Sequence, residues 1–281
     1  MEADFTLVPI GGLGNRINAI CSAIAYCKER NKSLDIIWFK DPGLNCSVKR
    51  LMFLNPKLTN VQMYDAGISD FLLRDKPRRR NFRIPKIFQH FLFDRRIYES
   101  EVYKVVSSHT KPDFGNIDHY KHIFMVNYWR FWQSEDMWES IVVNPDIKKG
   151  VDKIISGIKA KRIVGLHIRR TDNIYSIKES PTELFINKVN DEIEKYQDDV
   201  AFFLASDSLE EKDRLKKIFG EKIYTQTHKT SRNTPEGIID AFTELIALSK
   251  TDKIYASSKS SFSELAHFIG QNEFEELIIN E

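Results

Sequence analysis

The sequence predicts an α/β protein made of two doubly wound halves that face each other across a cleft. Two observations carry this reading. From residue 162 onward, apolar runs of strand length alternate with amphipathic stretches of helix length, the pattern of a parallel sheet covered by helices. The front of the chain repeats the same theme with a strand, a glycine-rich turn, a helix and a second strand. The total of 281 residues, 42% of them apolar, suits one large domain or two of roughly 120 to 150 residues.

Taken in order, Phe5-Thr6-Leu7-Val8 reads as a buried strand, and Gly11-Gly12-Leu13-Gly14 breaks it. Ile17, Ile20, Cys21, Ile24 and Ala25 then recur at helical spacing, and Leu34 to Phe39 completes a βαβ unit. The stretch 74–96 places nine basic residues (Arg74, Lys76, Arg78, Arg79, Arg80, Arg83, Lys86, Arg95, Arg96) against Asp75 and Asp94 alone, and is expected to be an exposed, partly helical insertion. A strand at 123–127 is followed by an aromatic cluster (Tyr128, Trp129, Phe131, Trp132, Trp138) and by Asn144-Pro145, a helix start by capping and proline logic. Strands are then expected at 162–168, 200–205, 222–224 and 253–257, and helices at 181–196, 209–219, 235–250 and 261–269. The halves are bounded as 1–144 and 145–281.

Composition excludes several classes. With 42 basic and 40 acidic residues, overall charge does not select a polyanionic partner. Three cysteines without a C-x-x-C pair argue against a disulfide framework or a cysteine zinc site. Met1-Glu2-Ala3-Asp4 has no basic n-region, and no apolar run reaches the roughly 18 residues needed to span a bilayer. The expectation is a cytoplasmic protein, with membrane contact at most peripheral to the inner face. Asp-x-Asp does not occur, His119 and His122 lack a third nearby ligand, and no G-x-x-x-x-G-K-[ST] is present. Neither a divalent-metal diphosphate site, nor zinc, nor a P-loop is therefore expected.

The densest chemistry lies in Gly165-Leu166-His167-Ile168-Arg169-Arg170-Thr171-Asp172, where a central strand should end and ligands bind in open α/β sheets. An arginine fork matches phosphate oxygens two at a time and keeps its charge. Alternation puts His167 and Arg169 on one side and Arg170 on the other, so one arginine is free to face a diphosphate while the other pairs with Asp172. A solvated strand end with an Arg–Asp ion pair is the plain structural alternative.

The run H-x-R-R-T-D resembles the first signature of the α1,6-fucosyltransferases, and its H-x-R-R-x-D core is similar to that of the α1,2-fucosyltransferases. Gly11-Gly12-Leu13-Gly14-Asn15-Arg16 resembles the N-terminal G-G-L-G-N-Q of the α1,2 group and the glycine loop of protein O-fucosyltransferases. Three further segments are similar and collinear: Tyr128 to Glu135, Phe203-Leu204-Ala205-Ser206-Asp207, and Gly237 to Ser263. The resemblance implies a GT-B-like fold with an acceptor-side half at 1–144 and a Rossmann-like, nucleotide-sugar-binding half at 145–281. It implies an inverting, metal-independent glycosyltransferase that moves fucose from GDP-fucose to a hydroxyl of a glycan or lipid-linked glycan, with no cofactor.

By that resemblance Arg169 holds the β-phosphate and stabilises the leaving diphosphate. His167 and Asp240 contact the nucleoside, and Ser260 and Ser261 add donors at a helix N-terminus. Asp207 is a further site carboxylate, and Gly12, Gly14 and Asn15 approach the sugar or the acceptor. Taken singly, each has an ordinary role: Asp240 as a surface helix residue, Ser260 as an N-cap, His167 in a core, the glycine loop as a tight turn. The sequence departs from the α1,6 pattern where Asn173, not lysine, follows Asp172, and where the nearest glutamates are Glu179 and Glu183. Asp172 and Glu179 are the candidate general bases. Arg16 stands where Gln is common. The stretch 74–96 reads first as a solvated insertion, with an anionic surface such as phospholipid headgroups or a lipid-diphosphate acceptor as its functional alternative. The competing expectations are another GDP-sugar, or a noncatalytic binder of polyanions; nucleic acid is the weaker partner because no RNA-binding signature is present.

Overall fold

The computed structural model describes residues 3–107, 117–133, 137–171, 173–227, 231 and 233–279. The chain divides into two compact units, Met1–Asn144 and Pro145–Glu281.

The first unit contains β1 (Phe5–Pro9), α1 (Leu13–Glu29), β2 (Leu34–Trp38), β3 (Met52–Leu54), β4 (Val61–Asp65), α2 (Ile68–Leu73), α3 (Ile84–Leu92), β5 (Arg95–Ile97), α4 (Glu99–Ser107), β6 (Ile123–Asn127) and β7 (Ile141–Val143). Its main sheet is parallel in the order β4-β2-β1-β6-β5, while β3 and β7 form a separate antiparallel pair. Every residue of β1 and β6 is buried, which is why both segments read as continuous apolar runs and not as alternation. The expected insertion at 74–96 is corrected at its end. Arg95 and Arg96 belong to edge strand β5, paired in register with Ile123 and Phe124, and only the part up to Leu92 projects as turn and helix.

The second unit contains α5 (Pro145–Gly157), β8 (Arg162–Ile168), α6 (Ile174–Glu179), α7 (Thr182–Tyr196), β9 (Val200–Ser206), α8 (Leu209–Phe219), β10 (Ile223–Tyr224), α9 (Pro235–Leu248), β11 (Lys253–Ser257), α10 (Ser261–Gly270) and β12 (Glu273–Leu277). All five strands are parallel in the order β10-β9-β8-β11-β12. The chain builds outward from β8 through β9 to β10, then returns to the other side of β8. The switch point therefore lies between β8 and β11, the position where doubly wound sheets hold ligands. Val164, Leu166, Ile168, Phe185, Val189, Phe202 and Leu204 form the core beneath this edge. Burial of each such side chain stabilises the fold by about 1.5 to 3 kcal/mol. Gly165 is required by packing: a Cβ there would sit 2.8 Å from Thr251 Oγ1 and 2.9 Å from Leu248 Cδ2. The glycine thus lets the end of α9 press directly on β8.

Candidate active site

At the C-terminal edge of the second sheet, main chain leaving β8 is held from both sides. The Arg169 amide donates to Ser257 Oγ of β11 at 3.1 Å, and the next amide, that of Arg170, donates to Asp207 Oδ1 beyond β9 at 2.7 Å. Asp207 Oδ2 accepts from Thr171 Oγ1 at 2.7 Å and lies 3.1 Å from Arg169 Nε. That last contact is electrostatic, because Nε does not aim along a hydrogen-bond direction. Asp207 thus fixes three consecutive residues of the strand end.

The two arginines have separate surroundings. Arg170 turns inward: Nη1 donates to Arg169 O at 2.6 Å, and Nη2 donates to Ser180 O at 3.0 Å and Thr182 Oγ1 at 2.9 Å. Thr182 Oγ1 donates in turn to Glu211. Burial lowers the Arg170 pKa, with Glu211 the first charge opposing that shift. Arg170 is therefore a brace between β8 and α7. Asp172, the expected partner of one arginine, lies outside the described residues, as do Ser134 and Glu135 of the aromatic segment.

His167, 3% exposed, stacks on Phe262 with ring centroids 4.8 Å apart and planes inclined by 22°. Burial, aided by the positive charge of Arg169, pushes its pKa down to about 3. Its Nδ1 is buried without a hydrogen-bond partner among the described residues, so the neutral ring keeps an unused polar atom. Phe262 is the second residue of α10, which brings the N-terminus of that helix to the same edge. Ser260 is its N-cap but makes no capping bond through its hydroxyl. Helix N-termini leave amide donors and a positive dipole end for an anion.

Glu179, ending α6, accepts from Ser258 Oγ and pairs with Lys259 Nζ, both at 2.6 Å. Those two donors, Lys259 first, hold its carboxyl below the ordinary range. Further ties fix the loop: Ser258 N donates to Ser180 Oγ at 2.8 Å, Ser176 Oγ to Ser258 O at 2.5 Å, and Asn173 Nδ2 to Lys259 O at 3.2 Å. Lys259 itself adopts a left-handed backbone, φ 53°. The serine-rich loop before α10 is therefore built against α6, and Glu183 is separately paired with Arg214 at 2.9 Å. Asp240 is half-buried on α9 and shows neither hydrogen bond nor ion pair among the described residues.

Sequence reasoning missed a buried pair beneath this edge. Lys212 Nζ of α8 and Glu244 Oε1 of α9 lie 2.5 Å apart, their side chains 2% and 4% exposed. Burial drives the Glu244 carboxyl up to about 7 against the pull of Lys212, with Asp240 and Asp207 adding to the rise. The carboxylates of Asp207 and Asp240 thus both act on this pair.

In the first unit the glycine loop follows β1, beside β6, at the corresponding switch point. Gly11 has φ 85°, and a Cβ on it would crowd Asn15 Nδ2 at 3.1 Å. A Cβ on Gly12 would meet nothing within 4 Å, while Gly14 is buried and Asn15 half-buried in the first turn of α1. Arg16 is fully buried and points inward: Nε donates to Gly11 O at 3.0 Å, Nη1 to Phe39 O at 2.6 Å, and Nη2 to Asp41 Oδ2 at 2.7 Å. Its guanidinium stacks over Trp38 at 4.9 Å. Arg16 is thus the anchor of the loop.

Among the described residues no group of three or more His, Cys, Asp or Glu side chains is arranged to hold a metal ion, and no helix is long and apolar enough to cross a membrane.

No protein-family model matches the chain, and no curated protein matches it by sequence. Solved structures do match along its whole length. NodZ alpha-1,6-fucosyltransferase soaked with GDP-fucose superposes with a TM-score of 0.64 at 18% identity, over 96% of this chain and 93% of that one. Fucosyltransferase NodZ from Bradyrhizobium gives 0.64 at 16% identity over 95% and 93%. POFUT1 in complex with GDP-fucose gives 0.60 at 12% identity over 98% of both chains. The chain has the two-domain Rossmann-like fold, of GT-B type, that these fucosyltransferases share.

Proposed function

We propose that this protein is an inverting fucosyltransferase that moves fucose from GDP-fucose to a hydroxyl of a glycan or lipid-linked glycan. The observation that carries the reading is the position of Arg169: its amide is held by Ser257 where β8 and β11 end, its guanidinium lies 3.1 Å from Asp207, and His167 meets Phe262 of α10 at the same edge, in a fold shared with proteins solved with GDP-fucose.

In this reading the second unit binds the donor. Arg169 and the Ser260–Ser261 N-terminus take the diphosphate, His167 offers its unpartnered Nδ1 to the nucleoside, and Asp240 accepts from the guanine N1 and N2 edge. As the bond from the anomeric carbon to the phosphate oxygen breaks, its electron pair leaves with GDP. Arg169 and the helix dipole meet the negative charge that develops there, without recourse to a cation. The acceptor oxygen bonds to the opposite face of the sugar, and its proton passes to a carboxylate. Asp172 and Glu179 are the two candidates. Both Glu179 oxygens are already engaged by Ser258 and Lys259, which favours Asp172. The first unit is assigned the acceptor side, with Gly12, Gly14 and Asn15 as its candidate contacts to the sugar or the acceptor.

The test is release of GDP from GDP-fucose in the presence of a chelator, with Arg169→Ala alongside. Turnover that survives chelation and is lost in the variant is expected; full turnover in Arg169→Ala discards the phosphate role. Protection against thermal unfolding by a panel of nucleotide sugars fixes the sugar, since a tight donor raises apparent stability by mass action.

A further inference from the structure

The outer surface of α2, the turn at 79–83 and α3 combines large apolar side chains and uncompensated positive charge. Ile68, Phe82 and Phe91 are 93%, 85% and 79% exposed, and Phe71, Leu72, Ile84 and Ile87 are also exposed. On α2, Ile68, Phe71 and Leu72 follow i, i+3, i+4 spacing; on α3, Ile84, Ile87 and Phe91 follow i, i+3, i+7. Each helix therefore turns an apolar stripe toward water, and the two helices pack against each other. Single exposed apolar residues are ordinary in soluble proteins, but a cluster of seven is not.

The charges on this surface have one sign. Its two acidic residues are buried and already paired, Asp70 with Arg74 at 3.0 Å and Asp75 with Arg78 at 2.6 Å. The exposed ionisable residues from 68 to 93 are Arg79, Arg80, Arg83, Lys86 and His90. None of the four Arg and Lys side chains meets a carboxylate among the described residues.

The surface is also braced. Phe82 and Arg83 both adopt left-handed backbone, φ 50° and 56°, a conformation that side-chain-bearing residues keep only where surroundings enforce it. Asn81 enforces it: Nδ2 donates to Asp75 Oδ2 at 3.1 Å and Lys76 O at 3.0 Å, and Oδ1 accepts from the amides of Arg78 at 2.9 Å and Arg83 at 3.2 Å. Beneath the turn, buried Gln89 donates to Asp75 O and accepts from Tyr98 Oη, both at 2.8 Å. Phe82 is thus held out into solvent by a built turn.

We infer that residues 68–91 are a docking surface for an anionic lipid bilayer. The seven apolar side chains enter the boundary between headgroups and acyl chains, and Arg79, Arg80, Arg83 and Lys86 pair with lipid phosphates. Four of the seven apolar residues, Ile68, Leu72, Ile84 and Ile87, offer no π face on which a base can stack, whereas acyl chains accept aliphatic and aromatic groups alike. Lipid therefore fits this surface better than single-stranded nucleic acid. Docking here would bring the enzyme to acceptors carried on a membrane, but vesicle binding needs no turnover and stands apart from the GDP-fucose reading.

The experiment is co-sedimentation of the full chain with vesicles of phosphatidylcholine alone and of phosphatidylcholine mixed with phosphatidylglycerol. Binding to the mixed vesicles only is expected. Arg79→Ala/Arg80→Ala/Arg83→Ala should lower the partition coefficient about 100-fold. Phe82→Ser/Phe91→Ser should lower it about tenfold or more with charge unchanged. Lys216→Ala/Lys217→Ala, in the second unit, should bind as wild type, and all variants should keep the wild-type unfolding midpoint because the replaced side chains are on the surface. Three results would overturn the inference. One is no binding to the mixed vesicles, with or without self-association that the phenylalanine variant abolishes. Another is binding that ignores the phenylalanine change. The last is displacement of vesicles by an oligothymidylate that binds the phenylalanine variant as tightly as wild type.

Discussion

Asp207 lies 3.1 Å from the Nε of Arg169 while its other oxygen accepts the Arg170 amide at 2.7 Å, so one carboxylate sets both the path of the main chain and the direction of the guanidinium. Orientation matters because a charge-stabilising group acts only where charge develops in the transition state. A correctly placed donor of this kind is worth about 100- to 1000-fold in kcat. Arg169→Ala is therefore expected to lose that much turnover with a smaller change in donor KM. Arg169→Lys should recover part of it, since charge returns without the planar fork. Asp207→Asn should reduce kcat less than Arg169→Ala and lower the unfolding midpoint, because the carboxylate also holds Thr171 and the strand end. Steady-state GDP release with circular dichroism melts checks all three, and wild-type turnover in Arg169→Ala rejects the scheme.

The second sheet was readable because its strands are buried on both faces: Val200–Ser206 is apolar nearly throughout, and β8 ends in residues whose chemistry stands out. The two elements of that unit that escaped have little apolar periodicity of their own. β12 is an edge strand carrying Glu273, Glu275 and Glu276, and α6 has six residues of which Ile174, Tyr175 and Ile177 face water. Most expected element ends differ from those observed by a residue or two, as fraying ends allow, while α1 extends four residues beyond its apolar repeat at each end. The candidate site was legible where one short segment holds several partners, as in His167-Ile168-Arg169-Arg170. It was not legible where the partner is distant. Nothing local to Lys212 announces Glu244, 32 residues away, and an arginine after a glycine loop gives no sign that it points inward as Arg16 does.

His167 couples folding to pH. With its pKa pushed down to about 3 in the folded chain and an ordinary value of 6.5, the unfolded state binds more protons between those values. Stability therefore rises with pH across that window and is lost as pH falls through it, by up to about 1.4 kcal/mol per pH unit from this one residue. His167→Phe, which keeps the stack on Phe262, should flatten that part of the profile while raising donor KM. Urea titrations across the interval between those two values measure it; an unchanged slope in the variant would mean that His167 is not held neutral.

The Lys212–Glu244 pair predicts strong non-additivity. Removing one member of a buried ion pair leaves the other unpaired in apolar surroundings, at a cost of about 3 to 5 kcal/mol, whereas replacing both can be nearly neutral. Lys212→Met alone should therefore destabilise the chain by that amount, and Lys212→Met/Glu244→Leu should recover most of it. A double-mutant cycle by urea unfolding gives the coupling; additive single losses would show that the two side chains act separately.

Arg16 makes a matching prediction for the first unit. Its three side-chain hydrogen bonds tie Gly11 to Phe39 and Asp41, so Arg16→Met removes the donor of two carbonyls, at about 1 to 3 kcal/mol for each left unsatisfied, while Asp41 keeps the amides of Gly43 and Leu44. The melting temperature should fall by several degrees. If the loop serves the acceptor, acceptor KM should rise while donor KM stays near wild type, a split that general loss of folded protein does not produce.

The proton acceptor is the last part of the scheme to be tested, and Glu179 and Asp172 make different predictions. A base must be deprotonated to work, and its pKa appears as the acid limb of the rate profile. Glu179 sits below its ordinary 4.5, held there by Lys259 and then Ser258, which keeps it charged at neutral pH but weakens its grip on a proton. Its hydrogen bonds instead hold the loop that leads into α10. Glu179→Gln should therefore raise donor KM as that loop loosens, with kcat reduced less than about tenfold. Asp172→Asn should lower kcat by about 100-fold or more, within the range general base catalysis supplies, with donor binding intact. Measuring kcat and KM for both variants with a saturating acceptor separates the roles, and a collapse of kcat in Glu179→Gln with Asp172→Asn active would move the base to Glu179.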